Sequence, residues 1–348
     1  MEKTGIVGYG AYVPKLRIKA ETIAEVWGQD PNRIINGLGI NEKSVPNKDE
    51  DTVTIATQIG KNALLRAGIK PEELGAVYVG SESHPYAVKP TSTIVAEALR
   101  VGTDYTALDT EFACKAGSAA VQIVMGLAGS GMIKYGLAIG ADTAQGSPGD
   151  PLEYSAAAGG AGFIVGKDKK QFVAELNDTF SFSSDTPDFW RRPKADYPSH
   201  GGRFTGGPAY VKHVVGATLG LLKKTGTTVD DYNYVVFHMP NGKFPLAMGK
   251  KLGVPYSKME AGFVVKDVGN TYSGCSLLGL AATLDIAKPG EKILMTSYGS
   301  GAGSDSFSIT VTDLIDKKRN LAHTVKDYVD HKEYISYPTY AKFRGKII

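Results

Sequence analysis

The stretch LDTEFACKAGSAAVQIVMGL, residues 108–127, has a counterpart later in the chain, DVGNTYSGCSLLGLAATLDI, residues 267–286. Each runs from a polar turn through small residues into an apolar segment with helical spacing. In the first copy, YTALDT (105–110) predicts a strand and the run over 115–130 predicts the helix that follows. Cys114 then stands at or just before the first helical turn. Free backbone N–H groups and the positive end of the helix dipole favour an anion there. That position suits a reactive thiolate. A small, buried core cysteine fits the same stretch equally well.

The pattern extends outward from this pair. LGAVYVG (74–80), YGLAIGAD (135–142) and AGFIVG (161–166) predict strands, and residues 51–68 and 92–100 predict helices. Such alternation indicates an α/β layered fold. The second half repeats the order. DDYNYVVFH (230–238) parallels EELGAVYVG (72–80), and GEKILMTSYGSGAGSDSFSITV (290–311) parallels the strand, Gly-rich turn and strand of 135–166. The expected organisation is two duplicated βαβαβ halves, residues 1–170 and 211–348, with an irregular link over 171–210. A site is expected where the halves meet.

Composition bounds the function. The chain has 348 residues, 42% hydrophobic and 22% charged, with 42 glycines and a formal net charge of +3. That charge is too small to argue for nucleic acid or a membrane surface as partner. Two cysteines, Cys114 and Cys275, do not make a disulfide framework. The N-terminus MEKTGIVGYGAYVP reads as a first strand and turn, without the regions of a signal peptide. A reducing, cytoplasmic setting is the expectation.

Four polar residues fall at the ends of these elements. Glu82 follows a strand in YVGSESHP, Cys114 opens a helix, His238 ends a strand in VVFHMPNGK, and Asn270 lies in VGNTYSG. Strand ends on one edge of an α/β sheet converge on one cleft. Each residue alone has an ordinary reading: a solvated Glu, a structural His, an Asn cap. Their joint placement at equivalent turns of a duplicated chain points to a site. The six histidines show no metal-ligand spacing. YGSGAGS (298–304) lacks the ending of a phosphate loop, and no dinucleotide fingerprint is present.

With these motifs, and with DFWRRPKADYPSHGGRFTGGPAY in the link, the chain resembles the thiolase superfamily over nearly its whole length. Within it, the chain resembles the 3-hydroxy-3-methylglutaryl-CoA synthase family of the archaeal type. Glu82 is the discriminating residue, because Cys, His and Asn are shared with ketoacyl synthases. Thiolases carry a second cysteine in the last Gly-rich turn, where Ser300 stands here. The resemblance implies a thiolase-like fold layered α/β/α/β/α. It implies condensation of acetyl-CoA with acetoacetyl-CoA and water, on the mevalonate route to isoprenoids, with CoA thioesters as substrates and no further cofactor.

The residue chemistry agrees with that reaction. Cys114 would hold the acetyl group as a thioester. Glu82 would take the weakly acidic methyl proton. His238 would polarise the ketone and act as the acid, and backbone N–H groups near Cys114 and the YGSGAG turn would form an oxyanion hole. The family pattern further implies Ser155, Thr205, Asn270 and Ser300 in substrate binding, with Arg203, Lys243 and Asp30 on the CoA side. It also implies a homodimer or larger assembly, and association with an acetoacetyl-CoA thiolase and a small zinc-ribbon/OB-fold protein. Two other readings stand beside it: a ketoacyl synthase III-type decarboxylative enzyme, and a non-catalytic acyl-carrying scaffold subunit.

Overall fold

The computed structural model describes residues 3–347. Nine strands form one mixed sheet. In chain order they are β1 (Thr4–Tyr12), β2 (Leu74–Gly80), β3 (Thr106–Thr110), β4 (Tyr135–Thr143), β5 (Ala158–Gly166), β6 (Ala174–Ser183), β7 (Tyr234–Phe237), β8 (Lys292–Thr296) and β9 (Gly303–Val311). Their spatial order is 7-8-9-6-1-5-4-2-3. The duplication is visible in this order, because 1-5-4-2 and 6-9-8-7 run the same way from the junction. The halves join where Thr4–Ile6 of β1 pair with Leu176–Ala174 of β6. β2 is parallel to β3 and β4, and β7 is parallel to β8, so within each half these strands end on one edge of the sheet. Among the described residues β3 has no counterpart in the second half.

Helices separate into layers according to their apolar faces. Helices α1 (Thr52–Ala67) and α2 (Thr91–Leu99) pack with one face of the first half-sheet. Helix α3 (Ala116–Ser130) shares a core with the later helix Cys275–Leu284, which is buried at every position. A helix apolar all round belongs inside a fold. Val124 of α3 and Leu277 and Leu280 of that later helix join Phe163 from β5 with Met295 and Phe307 from β8 and β9. Each such side chain contributes roughly 1.5–3 kcal/mol on burial. Helix α4 (Lys212–Thr225) packs on the outer face of the second half through Val214, Leu221 and Leu222. The layering is therefore helix, sheet, helix, sheet, helix.

Two expected boundaries differ. The stretch 171–210 is not irregular throughout, because β6 is a ten-residue strand that opens the second half as β1 opens the first. Its sequence AELNDTFSFS carries Asn, Asp and Ser, poor strand formers on their own. It is a strand because it lies between β9 and β1 and takes hydrogen bonds from both. The end of the chain also leaves the half assigned to it. Glu333–Tyr334 pairs with Leu16–Arg17, and Tyr337 and Tyr340 pack with Ile23 and Ala24 of the first half. Burying those rings fixes the tail there. Among the described residues no helix is long and apolar enough to cross a membrane.

Candidate active site

The ends of β2, β3 and β7 deliver three functional side chains to one site. β2 ends at Gly80 and Glu82 follows; β3 ends at Thr110 and the chain turns through Ala113 to Cys114; β7 ends at Phe237 and His238 follows. Ala113 has φ +41°, a left-handed conformation that costs a non-glycine residue energy. It lets Cys114 sit immediately before the start of α3, whose first residue is Ala116. His238 is held by its backbone N–H, which donates to Thr296 O at 2.9 Å.

Asn270 is placed by a close approach of the halves. Its N–H donates to Ser155 O at 2.7 Å, and its carbonyl accepts from Ala157 N at 3.0 Å. Gly269, at φ +86°, makes this possible: a Cβ there would lie 2.7 Å from Ala157 Cβ and 2.8 Å from Ser155 O. The Gly-rich turn is pressed against the Cys114 loop in the same way. A Cβ on Gly299 would meet Phe112 O at 2.5 Å.

These elements enclose a cavity of about 190 Å³ lined by Cys114, His238, Asn270, Ser155, Thr205 and Ser300, among others. Glu82 reaches Cys114 from behind the cavity wall, and the thiol donates to Glu82 Oε1 at 3.1 Å. Burial and then the Asp142 charge raise the Glu82 pKa to about 8. Burial, reinforced by Glu82, pushes the Cys114 thiol well above its usual range. The expected helix-start thiolate is thus not the resting state; desolvation outweighs the dipole, and the thiol is kept protonated against Glu82. Burial alone takes His238 down to about 3. Its imidazole is neutral, and its Nδ1 is buried without a partner among the described residues. It suits a hydrogen-bond role better than that of a charged acid.

Several residues that shape this site escape a reading by motif. Asp142 Oδ1 accepts from Glu82 N at 2.9 Å and from the hydroxyls of Ser81 and Ser83 at 2.7 and 2.6 Å. Its Oδ2 accepts from Ser273 N at 2.8 Å, across the junction of the halves. An acidic residue ending the otherwise apolar run YGLAIGAD was the available signal. Asp188, in the link, accepts from Tyr298 Oη at 2.5 Å and Gly301 N at 2.8 Å. It ties the link to the Gly-rich turn, and Phe189, His200 and Thr205 carry the cavity wall onward.

The three residues expected on the CoA side do not line the cavity. Asp30 caps the helix Pro31–Leu38 by accepting from Asn32 N at 2.9 Å. Its carboxylate is engaged in the cap, a common use of Asp at that position, while Leu38 at the far end of the helix reaches the cavity. Arg203 and Lys243 are exposed, adjacent in sequence to the lining residues Thr205 and Phe244.

A duplicated five-layer fold with a cysteine at a helix start, and His and Asn brought to it from the second half, defines a condensing enzyme of the thiolase type. Residues 222–311 match the family described as 3-oxoacyl-(acyl-carrier-protein) synthase III C terminal. The chain is 60% identical over 343 residues to the hydroxymethylglutaryl-CoA synthase of Archaeoglobus fulgidus, covering 99% of both chains. It is 59% identical over 344 residues to that of Methanosphaera stadtmanae, again covering 99% of both. The chain belongs to the hydroxymethylglutaryl-CoA synthase family. Among solved structures, MvaS in complex with 3-hydroxy-3-methylglutaryl coenzyme A superposes with a TM-score of 0.89 at 21% identity, over 100% of this chain and 93% of the other. PksG, a synthase from Bacillus subtilis, gives 0.86 at 22% identity, over 99% and 89%. Likeness at that identity speaks for the fold.

Proposed function

We propose that this chain condenses acetyl-CoA with acetoacetyl-CoA and water to give 3-hydroxy-3-methylglutaryl-CoA and CoA, through an acetyl group carried on Cys114. The observation that carries this reading is the 3.1 Å contact between Cys114 and Glu82, a buried carboxyl with a raised pKa. A decarboxylative enzyme has no need of such a base, since loss of carbon dioxide makes its carbanion.

In the first step Cys114 attacks the acetyl thioester, and the departing CoA sulfur gains the proton that the cysteine loses. Glu82 then takes a proton from the acetyl methyl. Its raised pKa makes it a stronger base than an exposed carboxylate. The enolate carbon bonds to the ketone carbon of acetoacetyl-CoA. His238, neutral in its apolar setting, polarises the ketone by hydrogen bonding, and the proton just gained by Glu82 completes the hydroxyl group. Backbone N–H groups of the Cys114 loop and of Ser300 stabilise the oxyanions in this reading. Water finally cleaves the Cys114 thioester. No metal or further cofactor enters any step. The reading assigns Arg203 and Lys243, both exposed, to the CoA phosphates.

The same reading includes a homodimer. The edge strand β3 exposes Leu108, and the loop before α2 exposes Val88, the latter at 102% of its free surface. Apolar surface at a sheet edge favours pairing. The reading also includes a cytoplasmic setting, on the mevalonate route, and a complex with an acetoacetyl-CoA thiolase and a zinc-ribbon/OB-fold protein. Forming acetoacetyl-CoA from two acetyl-CoA is uphill, so immediate consumption draws it forward. The C-terminal tyrosines lend the complex little support, since Tyr340 is buried and Tyr328 Oη accepts from Nδ2 of the chain's own Asn62 at 2.8 Å. Co-expression of the three proteins and size exclusion tests the complex; elution of this chain only as its own dimer would count against it.

The central experiment is mass spectrometry after mixing with acetyl-CoA, then acetoacetyl-CoA. An acetyl group on Cys114 that is discharged into 3-hydroxy-3-methylglutaryl-CoA is the expected result. Consumption of a malonyl thioester in place of acetyl-CoA would favour the ketoacyl synthase reading instead.

A further inference from the structure

Behind Glu82 lies a second cavity, about 250 Å³, lined by Glu82, Ser83, His84, Gln145 and Arg191 among others. Tyr272 lines both this cavity and the one that holds Cys114. The wall between them is therefore thin, and the hydrogen bond from Cys114 to Glu82 crosses it.

Its lining is polar, and part of it is unpartnered. His84 Nε2 and Gln145 Oε1 are buried without a hydrogen-bond partner among the described residues. A buried polar atom left so is costly, and water in a polar cavity of this size removes that cost. His84 is nearly buried and is held from its other nitrogen: Nδ1 is 2.8 Å from Thr91 Oγ1 and 3.5 Å from Asp109 Oδ2. A proton on Nδ1 serves both oxygens, which leaves the lone pair on Nε2. Ser83 Oγ is committed to Asp142 at 2.6 Å, so it does not satisfy His84.

The chemistry of the proposed reaction makes a demand that the first cavity does not meet. In the last step a water oxygen bonds to the acyl carbon and the C–S bond to Cys114 breaks. The sulfur takes one proton, and the new carboxylic acid releases the other to solvent. Each turnover thus needs one water in and one proton out. At that moment the first cavity, about 190 Å³, holds a six-carbon acyl unit still joined to CoA.

We propose that the cavity behind Glu82 is the water reservoir and proton exit for hydrolysis of the Cys114 thioester, with His84 and Gln145 as the residues that position its water. The inference rests on the functional reading above. The attacking water comes from the Glu82 side, Glu82 takes its proton, and the chain of water at His84 Nε2 carries the excess proton outward. His84 and Gln145 act through water and Glu82; they are positioning residues.

The test is a single-turnover reaction of His84→Phe and Gln145→Leu, quenched and examined by mass spectrometry of the Cys114 peptide. Both variants should acquire the acetyl group at the wild-type rate. The hydroxymethylglutaryl-CoA adduct on Cys114 should then accumulate, with hydrolysis slowed about tenfold or more, as expected when a water-mediated proton transfer is impaired. His84→Gln, which keeps a polar group for water, should recover part of the rate. Should one variant fail to fold, the other decides. The proposal is overturned if no adduct accumulates, or if acetylation falls as much as hydrolysis. A wild-type protein that never acquires acetyl on Cys114 overturns the functional reading itself, and this inference with it.

Discussion

The ammonium group of Lys115, the residue after the candidate nucleophile, lies 2.9 Å from Oδ2 of Asp305 on β9, and both side chains are buried. Ser118 and Ser181 donate to the same carboxylate at 2.7 and 2.8 Å. The start of α3 is thus tied to the second half by an ion pair in a low-dielectric setting. Lys115→Met leaves the Asp305 charge uncompensated, and breaking a buried pair on one side costs about 3–5 kcal/mol. The double change Lys115→Met with Asp305→Leu should cost less than Lys115→Met alone. Denaturant midpoints of the three proteins check this; equal losses for single and double variants would remove the coupling.

Cys114→Ser should abolish acetyl transfer while the fold persists. A serine hydroxyl is a far weaker nucleophile than a cysteine thiol at the same position. Circular dichroism and an acetyl-CoA burst assay distinguish loss of chemistry from loss of structure. Near-wild-type turnover would refute the assignment.

Glu82→Gln should separate the half-reactions. The Glu82 charge and hydrogen bond both push the Cys114 pKa up. Without them the thiolate forms no less readily, so acetylation should survive. Carbon–carbon bond formation should fall by about 10²–10⁴, the usual cost of removing a positioned base. Exchange of the acetyl methyl protons with deuterated water should vanish with it.

Condensation should rise with pH up to about 8 and then level off, because Glu82 must be ionised to act as base and its pKa is raised to about 8. Stability moves the other way. The folded chain holds the Glu82 proton to about pH 8, while the unfolded chain releases it near 4.5. Raising the pH between those values therefore favours unfolding. Glu82→Gln removes this term, so its melting temperature should gain on the wild type between pH 5 and pH 9. A constant difference across that range would show that the Glu82 pKa is not raised.

Gly269→Ala should disturb the junction more than a surface change does. Its φ of +86° is unfavourable for alanine, and the added Cβ would meet Ala157 Cβ at 2.7 Å. A loss larger than about 1 kcal/mol is expected where the native backbone does not suit the new residue. The carbonyl of Ser155 and the Asn270 N–H should separate, with activity lost at temperatures where the fold persists.

What the sequence determined was local and periodic. The repeat of 108–127 at 267–286, the strand at 74–80 and the helix after Cys114 were legible because side-chain spacing alone distinguishes a period of 3.6 from a period of 2. Glu82, Cys114, His238 and Asn270 were legible because each ends an element whose partner ends in the same way. Tertiary structure decided the rest. β6 became a strand only through pairing with β9 and β1, and the tail joined the first half only because Tyr337 and Tyr340 found cover there. The protonation of the site was decided at the same level. A helix start predicts a thiolate, but the depth of Cys114 and the placing of Glu82 against it hold the thiol protonated. Burial and the distance between groups far apart in the chain set a pKa, and neither quantity exists until the chain has folded.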